Sequence, residues 1–230
     1  MVLIIGALAE EIDEIARACA GLEEHVHHFW RYTTGTLAGK TVAVVKSGVG
    51  KVLAAACTQS LIEHLSPNTL INIGIAGSLK QGIARGDTLV ATDCVQHDLN
   101  AIGIGIPRGQ IPYTEQRFIA CDPNLVSLAA RYQPASGKIH LGRLCSGDQF
   151  IDAEERQNRP YLTGELDGAA VEMEAAAIGL IATLFQVSFL SYRTISDSAD
   201  EAAHDHYEAF LPQASANNLA MLNYLLSKLP

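Results

Sequence analysis

The 230 residues carry 16 Lys and Arg against 25 Asp and Glu, a formal charge of −9, with 48% hydrophobic and 18% charged residues. That balance holds enough apolar material for a packed core and excludes a disordered or fibrous chain. No basic run or stripe is present, so neither nucleic acid nor an anionic membrane surface is the expected partner.

The apolar run at 2–6 meets Glu10 and Glu11 at once, which predicts a buried strand and turn rather than a signal peptide. A helix follows over 10–20, with Ile12, Ile15, Ala16 and Cys19 on one face. Strands are predicted at 41–45, 69–73, 88–92, 139–144 and 187–195, and Ala-rich helices at 52–65 and 174–185. The last helix is predicted over 215–229, where Leu219, Leu222, Leu225, Leu226 and Leu229 form a stripe. Several strands are apolar on successive residues, the pattern of a sheet covered on both faces. Strand and helix alternate without a repeat or linker, which predicts one α/β domain over 1–230. Segment 98–117, rich in Gly, Pro and Ile, is the long irregular stretch, and such a loop is usually functional or an interface. No stretch approaches the roughly 18 apolar residues of a membrane helix.

Cysteines stand at 19, 57, 94, 121 and 145. The odd count without C-x-x-C spacing is neither a disulfide framework nor a zinc knuckle, and it points to the reducing cytoplasm. His204-Asp-His206 and His25-Val-His27-His28 lack a nearby Cys or the His-Glu-x-x-His spacing. They read as solvated loop histidines, and no metal is expected.

Glycine-rich turns follow three apolar strands: Gly6-Ala-Leu-Ala-Glu-Glu11, Ser47-Gly-Val-Gly-Lys51 and Asn72-Ile-Gly-Ile-Ala-Gly-Ser78. Ligands of α/β sheets bind beyond the carboxyl ends of strands, where such turns gather. Neither a full dinucleotide fingerprint nor a Walker A pattern is present. Three further segments carry acids: Cys145-Ser-Gly-Asp-Gln-Phe150, Ala170-Val-Glu-Met-Glu-Ala175 and Thr194-Ile-Ser-Asp-Ser-Ala-Asp200. On residue type alone, Glu10 and Glu11 are also ordinary first-turn helix acids, Asp197 an N-cap, and Met173 a core residue.

Taken in order, these segments resemble the nucleoside phosphorylase/hydrolase superfamily along nearly the whole chain, and within it the branch of 5′-methylthioadenosine/S-adenosylhomocysteine nucleosidases. The resemblance implies a three-layer α/β/α sandwich around a central mixed, partly closed sheet, and a homodimer. It also implies hydrolysis of an adenine nucleoside by water, with no cofactor. It makes Asp197 the general acid at adenine N7 and Glu11 the base that activates water. Glu174 then grips the ribose hydroxyls, Met173 packs under the sugar, and Glu172 supports the site with Arg193 orienting a carboxylate. Phe150 stacks on adenine, the Ile151 backbone reads the base edge, and Ala76 and Gly77 line the ribose and purine side. Leu8, Val49 and Tyr207 border the 5′ substituent, with Tyr207 on a mobile segment before the last helix. Ala101, Ile104, Ile106 and Pro112 of loop 98–112 close the neighbouring subunit's 5′ pocket. Two positions depart from the family pattern: Ile104 and Ile106 stand where aromatics are frequent, and Ile75 stands where a small hydroxyl residue is common. Three alternatives stay open here: a phosphate-dependent nucleoside phosphorylase, an aminodeoxyfutalosine nucleosidase, and a non-catalytic nucleoside-binding protein.

Overall fold

The computed structural model describes residues 1–197 and 203–229, with Ala153, Asp197 and residues 203–209 described by backbone alone. Strand β1 (Val2–Gly6) is buried along its whole length and lies between β4 (Lys40–Lys46) and β5 (Thr69–Asn72), parallel to both. Burial of every residue is what the unbroken apolar run required, because helices cover both sheet faces. Helix α1 (Ala9–Ala18) packs on α7 (Ala203–Lys228), as does α3 (Pro123–Ala129). Helix α2 (Lys51–Leu65) packs on α6 (Ala175–Leu184). The Ala-rich α6 buries Ala175, Ala176, Ala177, Ile178, Gly179 and Ala182, and at Gly179 a Cβ would come within 2.6 Å of the Phe189 ring.

The other half of the sheet closes on itself. Strand β11 (Ser188–Asp197) runs parallel to β5 over its first half and then to β6 (Ile75–Ser78), while pairing antiparallel with β7 (Thr88–Gln96). Strand β9 (Ile139–Ser146) pairs parallel with β7 and with β10 (Gly168–Glu172), and β10 pairs antiparallel with β6. The ring β11-β6-β10-β9-β7 therefore returns to β11, and the sheet is mixed and partly closed as expected. Register shifts at Ile195/Asp197, Ala91/Asp93 and Gly168/Ala170 supply the bends that closure needs.

Several expectations are corrected. Residues 20–37 form a hairpin, β2 (Ala20–His27) and β3 (Trp30–Leu37), where the helix 10–20 was expected to end and no strand was assigned. Its outer strand is mostly exposed and polar, so it lacks the apolar signal of a buried strand. His25 and His27 are consequently strand residues. His25 Nε2 bonds Thr34 Oγ1 at 2.7 Å, and the His27 ring stacks on His64 with centroids 3.9 Å apart. The segment 170–172, where no strand was assigned, is the end of β10. Helix α7 begins at Ala203 rather than 215, so Tyr207, His204 and His206 belong by backbone to the helix and not to a segment before it. Pro212 inside the helix hid this start, because a proline in a helical pattern reads as a boundary. Loop 98–117 holds one short 3₁₀ turn at Ile102–Ile104 and is otherwise irregular.

Candidate active site

The first acid is placed by a helix start. Glu11 is the third residue of α1, and its carboxylate turns back onto the strand-to-helix turn that precedes it. Oε2 accepts the N–H groups of Ala7 at 2.7 Å and Leu8 at 3.0 Å, and Oε1 accepts that of Ile75 at 3.1 Å. The Leu8 bond is half of a capping box, which satisfies an otherwise orphan helix donor. Its neighbour Glu10 is exposed while Glu11 is buried. Burial pushes the Glu11 carboxyl above its ordinary value, against the lowering pull of Arg193 and the three backbone donors. Gly74, at φ 156°, makes room for it: a Cβ there would lie 2.4 Å from Glu11 Oε1.

The second group sits where β10 hands over to α6. Glu172 Oε2 accepts the N–H of Glu174 at 2.9 Å and of Ala175 at 2.8 Å, and so caps α6. The same oxygen meets Arg193 Nη2 at 2.7 Å, and Oε1 accepts the Ser146 hydroxyl. Arg193 also donates to Asn72 Oδ1 at 2.7 Å and is 1% exposed. Glu172 and Arg193 thus neutralise each other at the wall of the site. Glu174 has one described partner, the Gly50 N–H at 2.8 Å from Oε1. Burial, then the nearby Glu172 charge, push the Glu174 carboxyl up to about 8, with Gly50 and Arg193 pulling the other way.

These acids face one cavity of about 430 Å³, within the size range of small-molecule sites. Leu8, Glu11, Val49, Ala76, Gly77, Phe150, Ile151, Glu172, Met173 and Glu174, all singled out from the sequence, line it together. Phe150 at its mouth is 49% exposed, whereas Ile151 is buried beneath. Arg193 stands behind the wall rather than on it. The side chains of Asp197 and Tyr207 lie outside the described residues, although the Asp197 backbone pairs with Gly77 on the cavity wall. Ala101, Ile104, Ile106 and Pro112 do not line this chain's own cavity, and Ile104 is 66% exposed. Sequence reading missed Ala7, Gln149, Val171 and Ser196 as lining residues, while Ile75, noted as a departure from the family pattern, lines the cavity too. Each stands within or beside a quoted motif, so adjacency was the available signal. Their inward direction depends on strand register and turn geometry.

The sequence model of the Phosphorylase superfamily matches residues 1–227. A 5′-methylthioadenosine/S-adenosylhomocysteine nucleosidase of Actinobacillus succinogenes is 35% identical, over 98% of both chains. The chain belongs to this nucleosidase family of the Phosphorylase superfamily. A nucleosidase of that name from S. pneumoniae, solved with the transition-state inhibitor MT-ImmA, superposes with a TM-score of 0.93 at 29% identity, covering 100% of this chain and 99% of the other. A futalosine hydrolase mutant of Helicobacter pylori superposes with a TM-score of 0.91 at 29% identity, over 99% of each chain. In this member of the nucleosidase family, Arg85, Arg108 and Arg143 do not line the cavity. Arg143 pairs with Asp93, Arg108 lies over the Tyr161 ring, and Arg85 lies over Phe210.

Proposed function

We propose that the protein hydrolyses the N-glycosidic bond of 5′-substituted adenosines such as 5′-methylthioadenosine and S-adenosylhomocysteine, releasing adenine and the 5′-substituted ribose. The observation that carries this reading is the convergence of Glu11 and Glu174 on one partly apolar cavity in a chain of the nucleosidase family. Water adds to C1′ as the C1′–N9 bond breaks. Glu11 takes the water's proton as general base. Asp197 delivers a proton to adenine N7, so the base leaves neutral. Glu174 accepts the ribose 2′- and 3′-hydroxyl hydrogen bonds. Met173 packs under the sugar, Phe150 stacks on adenine, and the Ile151 backbone reads its edge. Ala76 and Gly77 line the ribose and purine side, with Leu8, Val49 and Tyr207 around the 5′ group. Arg193 holds Glu172, which fixes the turn that presents Glu174.

The active form is a homodimer in which Ala101, Ile104, Ile106 and Pro112 of one subunit close the 5′ pocket of the other. The exposure of Ile102, Ile104, Val52 and Leu53 supports this assembly. Hydrolysis of aminodeoxyfutalosine is the second reading, supported by the likeness to the Helicobacter pylori futalosine hydrolase.

The test is adenine release from 5′-methylthioadenosine with and without phosphate. Equal release with free 5-methylthioribose is expected, and release only with phosphate, yielding a sugar 1-phosphate, overturns hydrolysis. Asp197→Asn is expected to lower turnover about 10²–10⁴-fold.

A further inference from the structure

Lys51 is the first residue of α2, a helix whose own first turn holds no acid and whose N-cap, Gly50, supplies no side chain. A cation at this end opposes the helix dipole. The missing cap comes from 97 residues away, where Asp148 Oδ1 accepts the Lys51 N–H at 2.7 Å. The Asp148 N–H in turn donates to Asp98 Oδ2 at 3.0 Å. Asp98 Oδ1 meets Lys51 Nζ at 2.6 Å, and Gln96 Oε1 takes a second Nζ hydrogen bond at 3.2 Å. Lys51 main chain, Asp148, Asp98 and Lys51 side chain thus close a ring. The Lys51 and Asp98 side chains are 16% and 20% exposed, so the pair is shielded more than a surface ion pair. Burial raises the Asp98 carboxyl, but the Lys51 hydrogen bond and the Asp148 N–H outweigh it and hold the group below its ordinary value.

The ring joins three segments. Gly50, at φ 93°, holds Glu174 through its N–H, Asp148 stands two residues before Phe150, and Asp98 opens the loop 98–112. At Gly50 a Cβ would lie 3.0 Å from Asp148 Oδ1, so the two sides of the ring fit closely at this point.

We propose that Lys51 is a positioning residue which, through Asp98 and Asp148, fixes the Gly50 N–H and thereby aims the Glu174 carboxylate at the ribose. This inference rests on the proposed role of Glu174. The ring explains a lysine where helix electrostatics disfavours one.

The test compares kcat/KM for 5′-methylthioadenosine and for its 3′-deoxy analogue in the wild type and in Lys51→Met. The 3′-hydroxyl hydrogen bond to buried Glu174, whose loss leaves an acceptor unpaired, makes the wild type prefer the parent substrate by about 10–100-fold. In Lys51→Met the parent loses about 10–100-fold and the analogue less than about threefold, so the preference collapses, and Lys51→Arg restores part of it. Equal losses on both substrates, or none on either, overturn the inference. A wild type without preference overturns the Glu174 assignment first, and the inference with it. If circular dichroism shows Lys51→Met unfolded, Asp98→Asn takes its place under the same criteria.

Discussion

Arg193 Nη2 lies 2.7 Å from Glu172 Oε2, with the two side chains 2% and 3% exposed. The pair links β11 to the β10–α6 turn, and the Arg193 charge also pulls down the carboxyls of Glu11 and Glu174. Arg193→Met removes the cation and leaves Glu172 buried without it. Breaking a buried pair in this way is expected to destabilise the fold by about 3–5 kcal/mol. Chemical denaturation of the purified variant measures the loss, and a change below about 1 kcal/mol would contradict the arrangement.

Glu11→Gln keeps the size of the side chain but removes the base. Turnover is expected to fall about 10²–10⁴-fold, with KM little changed. Steady-state kinetics on 5′-methylthioadenosine checks this. A loss confined to KM would mean that Glu11 serves only to bind.

Gly74→Ala tests how closely Glu11 is held. Its Cβ would sit 2.4 Å from Glu11 Oε1 at a φ of 156°, so the carboxylate must shift. Activity is expected to fall at least about 10-fold, with about 1–3 kcal/mol of destabilisation from overpacking. Unchanged kcat/KM would show that the Glu11 position is not critical.

Phe150 gives the opposite split. Half exposed at the cavity mouth, it contributes little to the core, and Phe150→Ala is expected to change stability by less than about 0.5 kcal/mol. Loss of stacking is expected to raise KM about 3–10-fold. Thermal unfolding and KM, measured on the same preparation, check both halves.

Stability is also expected to depend on pH in two opposed ways. The Glu174 carboxyl titrates at about 8 in the fold against an ordinary 4.5. The fold therefore holds a proton that the unfolded chain releases, and stability falls as pH rises between these values, by up to about 1.4 kcal/mol per unit. Glu11 acts in the same direction above pH 4.5. His97 is the reverse: burial lowers it from 6.5 to about 4, so its contribution is lost as pH falls through that window. Glu174 and His97 nearly cancel from pH 4.5 to 6.5, where Glu11 adds a decline of its own, and from 6.5 to 8 the decline due to the acids stands alone. Glu174→Gln is expected to flatten that decline in a Tm series. A wild-type Tm that rises from pH 6.5 to 8 would contradict the raised acid values.

Composition and local pattern determined much of this protein. The apolar run of β1 and the Ala-rich α2 and α6 announced a sheet covered on both faces, because burial selects residue type at each position. The resemblance carried by the acidic motifs singled out Glu11, Glu172 and Glu174, whereas on residue type alone Glu11 is an ordinary first-turn helix acid. Only the tertiary structure decided the rest. The β2–β3 hairpin and the first turns of α7 were not legible, since an exposed polar strand and a helix containing Pro212 carry no clear periodic signal. Closure of the sheet depends on β11 pairing with β5, β6 and β7 along one strand, and hydrogen-bond register between distant segments leaves no local mark. For the same reason no spacing could show that Gly50 holds Glu174 across 124 residues, or that Ile75 holds Glu11 across 64. Those contacts exist because the fold brings three strand ends to one cavity, where burial and backbone donors then set the charge of each acid.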